Sequence, residues 1–206
     1  MSRISNMCAI TVKLDCPNPT VALGLWDQYL LDFETKYWQN PSWEIIRQSP
    51  DYDENFAFLQ RKVLFIGINL VGGIVHDKEE WDARHDANLL WIDTTATKYD
   101  GRYTTMVIFA HADPDIEINE QFFTDFYPMV ERYDEQVIFV HRNLGIDTWK
   151  QESGYNGISN LEVVSVEGSK WPPMLVQIDG TNGNYAIDQS SWYDDFTQKG
   201  KLPKSP

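Results

Sequence analysis

Three short apolar runs constrain this chain more than any other feature. "VLFIGINL" (63–70), "MVIFA" (106–110) and "VIFV" (137–140) are rich in β-branched and aromatic residues and lack polar alternation. A strand that is apolar at every position has two faces to hide, so it belongs to a sheet covered on both sides. The segments between these runs have apolar residues at helical spacing. "HDKEEWDARHDANLLWI" (76–92) sets Trp81, Arg84, Asn88 and Ile92 on one stripe, with Asp77 and Glu80 as an acidic capping box. "NEQFFTDFYPMVERY" (119–133) does the same with Phe122, Phe126, Met129, Val130 and Tyr133, and Pro128 predicts a break. Strand, helix, strand with short connections is the pattern of an α/β sheet with parallel neighbours.

The flanks add antiparallel elements. "FAFLQ" (56–60) precedes the first run through a tight turn at Arg61-Lys62, and Gly72-Gly73 ends the second strand of that pair. Asn18 as N-cap and Pro19 at the first helical position open a helix with Ala22, Leu25, Trp26, Tyr29, Leu30 and Phe33 on its apolar face. Residues 39–55 and 93–104 read as polar loops. "LEVVSVEGSKWPPMLVQIDG" (161–180) reads as a β-hairpin turning at "EGSK", and "NYAIDQSSWYDDF" (184–196) as a last strand or short helix. Near the start, Ile10, Val12 and Leu14 alternate with polar residues as in a half-covered edge strand. A single domain over residues 1–196 with a polar tail over 197–206 accommodates this order.

Composition narrows the function classes. With 206 residues, one sizeable core is available. A net charge of −14 argues against a nucleic-acid partner, because phosphate backbones are met by basic faces. No run approaches the ~20 apolar residues of a membrane-spanning helix, and the first residues show no signal-peptide pattern, so a soluble chain of unassigned compartment is expected. Cys8 and Cys16 are close in sequence, could bridge only in an oxidising compartment, and lack zinc-finger spacing. Phosphate-cradling glycine loops and a Gly-x-Ser-x-Gly nucleophile turn are both missing from the sequence.

Two of the four histidines, His111 and His141, end the second and third apolar runs. Functional groups in open α/β sheets gather beyond the carboxyl ends of the strands. Neutral imidazole is a good ligand for Zn, Fe, Mn or Ni, and Asp113, Asp115 and Asp147 lie close by in sequence. The alternative is that each histidine caps its strand through local backbone hydrogen bonds.

"ENFAFLQRKVLFIGINLVGG", "EEWDARHDANLLWI", "MVIFAHADP" with "FFTDF", and "VIFVH" together resemble the C-terminal half of calcineurin-like metallophosphoesterases. The likeness runs over roughly residues 15–180 and is most specific over 55–126. It implies a scaffold of two facing mixed β-sheets flanked by helices, lacking its first strands. It also implies divalent metal ions (Mn, Fe or Zn) held by His111 and His141, and hydrolysis of a phosphate ester; Asp147 is a weaker candidate that could stand in for the family's second histidine, and Asp113 a weaker one by its place beside His111. The family's early Asp-x-His, Gly-Asp-x-x-Asp and Gly-Asn-His-Asp/Glu motifs are not found in this sequence. "LDCPNP" (14–19) resembles the stretch directly after the Gly-Asn motif, and "HRNLGIDTW" (141–149) has one histidine where the family pattern has two. The resemblance supports two expectations. One is a phosphate-ester hydrolase, or part of one; the other is a non-catalytic relative serving as a binding or assembly subunit, with a protein partner or a second copy. A dinuclear centre requires several more ligands than these, so ligand count favours the second.

Overall fold

In a computed structural model, described over residues 28–29, 31, 43–48, 51–70, 75, 77–143, 150–167 and 175–188, the chain builds a seven-stranded mixed sheet and a separate two-stranded one. In chain order the elements are β1 (Ile46–Arg47), β2 (Phe56–Gln60), β3 (Val63–Gly67), α1 (Lys78–Lys98), β4 (Thr105–Phe109), α2 (Glu120–Glu131), β5 (Gln136–Asn143), β6 (Lys150–Ser153), β7 (Leu161–Glu167), β8 (Leu175–Ile178) and β9 (Tyr185–Asp188). The large sheet runs β1-β2-β3-β4-β5-β7-β6. Its centre, β3-β4-β5-β7, is parallel, while β1, β2 and β6 pair antiparallel at the edges.

The doubly apolar strands have the double cover that their sequence requires. Successive side chains alternate between faces. Leu64, Ile66, Met106, Ile108, Val137, Phe139, Leu161 and Val163 pack beneath α1 and α2, against Trp91, Ile92, Phe122, Phe126 and Met129. Val63, Val107, Ile138, Val140 and Val164 project to the other face, where Ile178, Tyr185 and Ile187 of the β8–β9 hairpin cover them. A β2–β3 hairpin turns at Arg61 and Lys62, both at positive φ (49° and 62°), an arrangement that suits the right-handed twist of the strands. Gly180 presses against that turn: a Cβ there would lie 1.7 Å from the carbonyl oxygen of Arg61, so only glycine fits.

Helix α1 starts as expected, with Asp77 accepting from the N–H of Glu80 at 3.1 Å. It then continues six residues beyond Ile92, through a stretch whose threonines read as a loop. Packing overrides propensity here, since Thr95 and Ala96 are buried and Ala96 joins the core against the sheet. Pro128 lies inside α2 without ending it. Two further sequence expectations are corrected. Strands β7 and β8 do not form a hairpin with each other: β7 pairs with β5 and β6, and β8 pairs with β9 in the second sheet. The expected loop 39–55 contains β1, which extends the sheet beyond β2. The expected strand at 8–14, the glycine pair 72–73, Asp147 and the tail 197–206 lie outside the described residues, and of the expected helix at 18–38 only Gln28, Tyr29 and Leu31 are described.

One buried polar network ties α1 to the start of β2 and the end of β3. Arg84, 2 % exposed, donates from Nη1 to Glu54 Oε1 at 2.5 Å and from Nε to Glu80 Oε1 at 2.8 Å. Asn69 Nδ2 donates to the same Glu54 oxygen at 2.9 Å. Asn55 Nδ2 reaches Asn88 Oδ1 at 2.7 Å, while Asn55 Oδ1 accepts from the Asn69 backbone N–H at 2.6 Å. His85, one residue along the helix, sits between Trp81 and Phe122, and burial pushes its imidazole down to about 4 despite the opposing pull of Asp82.

This packing makes two outcomes measurable. Arg84→Ala leaves the Glu54 carboxylate buried and without its cation, and is expected to lower unfolding free energy by about 3–5 kcal/mol in urea titrations. An unchanged midpoint would show the network to be energetically idle. His85 is neutral when folded and protonates near 6.5 when unfolded, so below that pH the unfolded state binds the extra proton. Stability from this group is therefore complete above pH 6.5 and lost as pH falls towards 4. Urea midpoints of His85→Gln are expected to fall less between pH 7 and pH 4.5 than those of the parent.

Candidate functional site

Parallel pairing brings the carboxyl ends of β3, β4, β5 and β7 to one edge of the sheet. Backbone bonds continue past the strands and fix the loops there. Ala110 N–H donates to Val140 O at 3.0 Å, and the N–H groups of His111 and Ala112 both donate to Leu70 O, at 3.1 and 2.9 Å. His111 thus stands just beyond β4, and His141 lies near the end of the neighbouring β5.

The two imidazoles meet different partners. His141, 1 % exposed, shares the face of Phe139 and pairs across the strands with Ser165, itself 3 % exposed. A carbonyl oxygen can only accept, so the contact of His141 Nδ1 with Arg142 O at 3.1 Å places the ring proton on Nδ1. Nε2 is then the acceptor, and the Ser165 hydroxyl donates to it at 2.8 Å. Both ring nitrogens of His141 are engaged. Arg142 is the next residue along the strand, so its side chain leaves by the opposite face. There its guanidinium Nη1 lies 3.5 Å from His111 Nε2.

Burial is the main cause that moves both histidines below their ordinary range, with different neighbours adding to it. For His111 the positive charge of Arg142, and that of His141 whenever it is protonated, push further in the same direction. For His141 the nearby Asp113 and the bond to Arg142 O oppose the shift without overcoming it. The His111 Nδ1 atom is buried and has no partner among the described residues.

The carboxylates of the β4–α2 loop are tied into local structure. Asp113, 8 % exposed, accepts the Asp115 N–H at 3.0 Å, and its carbonyl accepts from Asn119 Nδ2 at 2.9 Å. Asp115 accepts the Tyr155 hydroxyl at 2.5 Å. Beside this loop an open cleft of about 440 Å³ is floored by Phe123 and Tyr127 and edged by Asp115, Glu117 and Glu120; neither histidine lines it.

Of the residues singled out from sequence, the fold brings His111, His141 and Asp113 to one edge, and Asp147 is outside the described residues. No group of three or more His, Cys, Asp or Glu side chains arranged to hold a metal occurs among the described residues. Ser165 and Arg142 were not singled out from sequence. No motif marks them, because each meets its histidine only through strand register.

The His141–Ser165 contact has a measurable consequence. Ser165→Ala leaves a buried ring nitrogen without its donor and is expected to cost about 1–3 kcal/mol by urea titration. In proton-detected histidine NMR, the parent's His141 should remain the Nδ1–H tautomer at pH 7, and a doubly protonated ring at that pH would refute the assignment.

Searches against protein-family models, curated proteins and solved structures find no match to this chain.

Proposed function

We propose that this chain is a non-catalytic relative of the calcineurin-like phosphoesterases, a binding or assembly subunit rather than a metal-dependent hydrolase. The observation that carries this reading is how the two strand-end histidines are occupied. A metal ligand offers a lone pair on neutral imidazole, and a dinuclear hydrolytic centre needs several such donors around a bridging water. His141 offers none, with Nδ1 donating to Arg142 O and Nε2 accepting from Ser165. His111 Nε2 faces the Arg142 guanidinium at 3.5 Å, and that positive charge would repel a dication bound at this nitrogen. Its Nδ1 is left as one donor, too few to fix a metal. Among the described residues, the set at this edge does not fit the dinuclear centre that the resemblance implies.

The competing reading, hydrolysis of a phosphate ester with Mn, Fe or Zn, makes the opposite forecast. With Mn²⁺ or Zn²⁺ added, the purified chain is expected to hydrolyse p-nitrophenyl phosphate no faster than His111→Ala or the His111→Ala/His141→Ala double variant. Isothermal titration calorimetry with either metal should give no saturable binding that His111→Ala removes. Metal-dependent turnover abolished by His111→Ala would overturn the proposal and restore the hydrolase reading.

A further inference from the structure

A cleft of about 640 Å³ opens at the amino-terminal edge of the parallel strands, the edge away from His111 and His141. Thr104, Gln136 and Asn160 stand at or just before the starts of β4, β5 and β7; Gln151 comes from β6, and Asn182 to Tyr185 from the β8–β9 hairpin. Gln151 pairs with Val164, and Gln136 precedes Ile138 by two residues, so both amides share the sheet face that the hairpin covers. The walls are held in place by their own bonds. Asp179 O accepts the N–H groups of Gly183 and Asn184 at 2.8 and 2.7 Å, and Asn182 Oδ1 accepts the Asn184 N–H at 2.9 Å. Thr104 Oγ1 donates to Gly180 O at 3.3 Å, which ties this turn to the sheet. Asn160 Nδ2 donates to the carbonyl oxygens of Val130, Tyr133 and Glu135 at 3.0, 2.8 and 3.1 Å, fixing the loop before β7.

We infer that this cleft binds a neutral carbohydrate. It lies at the other edge of the sheet from the histidines, and the inference goes beyond the phosphoesterase reading without resting on it. The first support is charge. No lysine, arginine or histidine is among the lining residues, and Asp134 is their one formal charge, so a phosphate or carboxylate ligand would meet repulsion and no cation. The second is hydrogen-bonding capacity. Each sugar hydroxyl both donates and accepts, and a carboxamide sets a donor beside an acceptor, which suits two adjacent hydroxyls at once. Gln136, Gln151, Asn182 and Asn184 bring four such groups to one cleft, with Ser159 and the acceptor oxygens of Asp134 beside them. Asp134, Gln151, Ser159, Asn182 and Asn184 are all exposed, so a ligand can reach them. The third is the single ring. Tyr185 packs partly against the core of this face and offers an apolar surface for the C–H groups of a pyranose. Burial and a bond to Glu162 push its hydroxyl up to about 12, so the ring meets a ligand uncharged. A planar base would find one ring to stack on and no second ring to close over it. The volume falls within the roughly 300–1,000 Å³ of small-ligand sites, and a wall already fixed by backbone bonds spares the ligand the cost of ordering it.

The test is a ¹H–¹⁵N NMR titration of the full chain that follows the side-chain NH₂ groups. Maltotriose, cellotriose and triacetylchitotriose are added in turn, with sodium phosphate and cytidine as competing chemistries. Saturable shifts at Gln151, Asn182 and Asn184 are expected with at least one sugar, at a Kd of about 1–10 mM, as fits an open site of neutral hydrogen bonds. Asn184→Ala and Gln151→Ala remove exposed amides from the hairpin turn and from β6. Each is expected to weaken that sugar about fivefold or more, with the thermal midpoint moved by less than about 2 °C. Because the two residues stand on separate elements, either substitution decides the matter if the other disturbs the fold. No saturation by any of the three sugars up to about 50 mM would overturn the inference. So would tighter binding of phosphate or cytidine, or sugar binding that both substitutions leave unchanged.

Discussion

Everything in this molecule depends on strands that have no polar face. A parallel strand such as β4, with Met106, Val107 and Ile108 all buried, is stable only when material lies above and below it. Helices α1 and α2 supply one layer and the β8–β9 hairpin supplies part of the other. The polar network around Arg84 is subordinate to this arrangement. It fixes where α1 sits along the sheet by joining that helix to residues flanking β2 and β3, with Arg84 meeting both Glu54 and Glu80. Removing a partner from such a network costs more than forming it gained, which makes it a device of register more than of net stability.

The same geometry decides what the strand-end histidines can do. Residues 141 and 142 are neighbours in sequence, but the pleat sends their side chains to opposite faces. His141 is thereby turned towards the helices, where a serine from β7 meets it, and Arg142 is turned the other way, towards His111. The two strand-end histidines therefore make different contacts: one is a buried imidazole bonded to a serine, the other an imidazole beside a guanidinium, and burial lowers the basicity of both.

How much of this was legible beforehand depended on whether the cause was local. The central strands, the hairpin at Arg61-Lys62 and the start of α1 at Asp77 were readable because continuous apolar runs, a tight turn and a cap are written in neighbouring residues. Strands β1 and β6 were not. Both lie at the edges of the sheet, and β6, with the largely exposed sequence "KQES", has no apolar signal of its own; it exists because β7 offers it a ladder. The threonines at the end of α1 read as a loop because they are poor helix formers, yet Thr95 is buried where a loop would leave backbone groups unpaired. Ser165 was invisible as the partner of His141, since 24 positions separate them and only the β5–β7 register brings them face to face.

The strand order also determines how the sheet can assemble. From β1 to β5 each strand lies beside the one before it in the chain, joined by a tight turn at β2–β3 and by one crossover helix each at β3–β4 and β4–β5. The sequence is broken once, where β7 lies between β5 and β6. Strands β6 and β7 are themselves antiparallel neighbours, and such a pair forms on its own within about 1–10 μs, so it can arrive at β5 as a preformed unit. As the chain leaves the ribosome amino terminus first, β3, β4 and β5 can settle with their crossover helices before that unit exists. His141 is then already in place at the end of β5 while the hydroxyl it needs is still on an undocked hairpin. Its ring nitrogen acquires the Ser165 hydroxyl only when β7 pairs with β5, so the state of that imidazole reports directly on the closure of this edge.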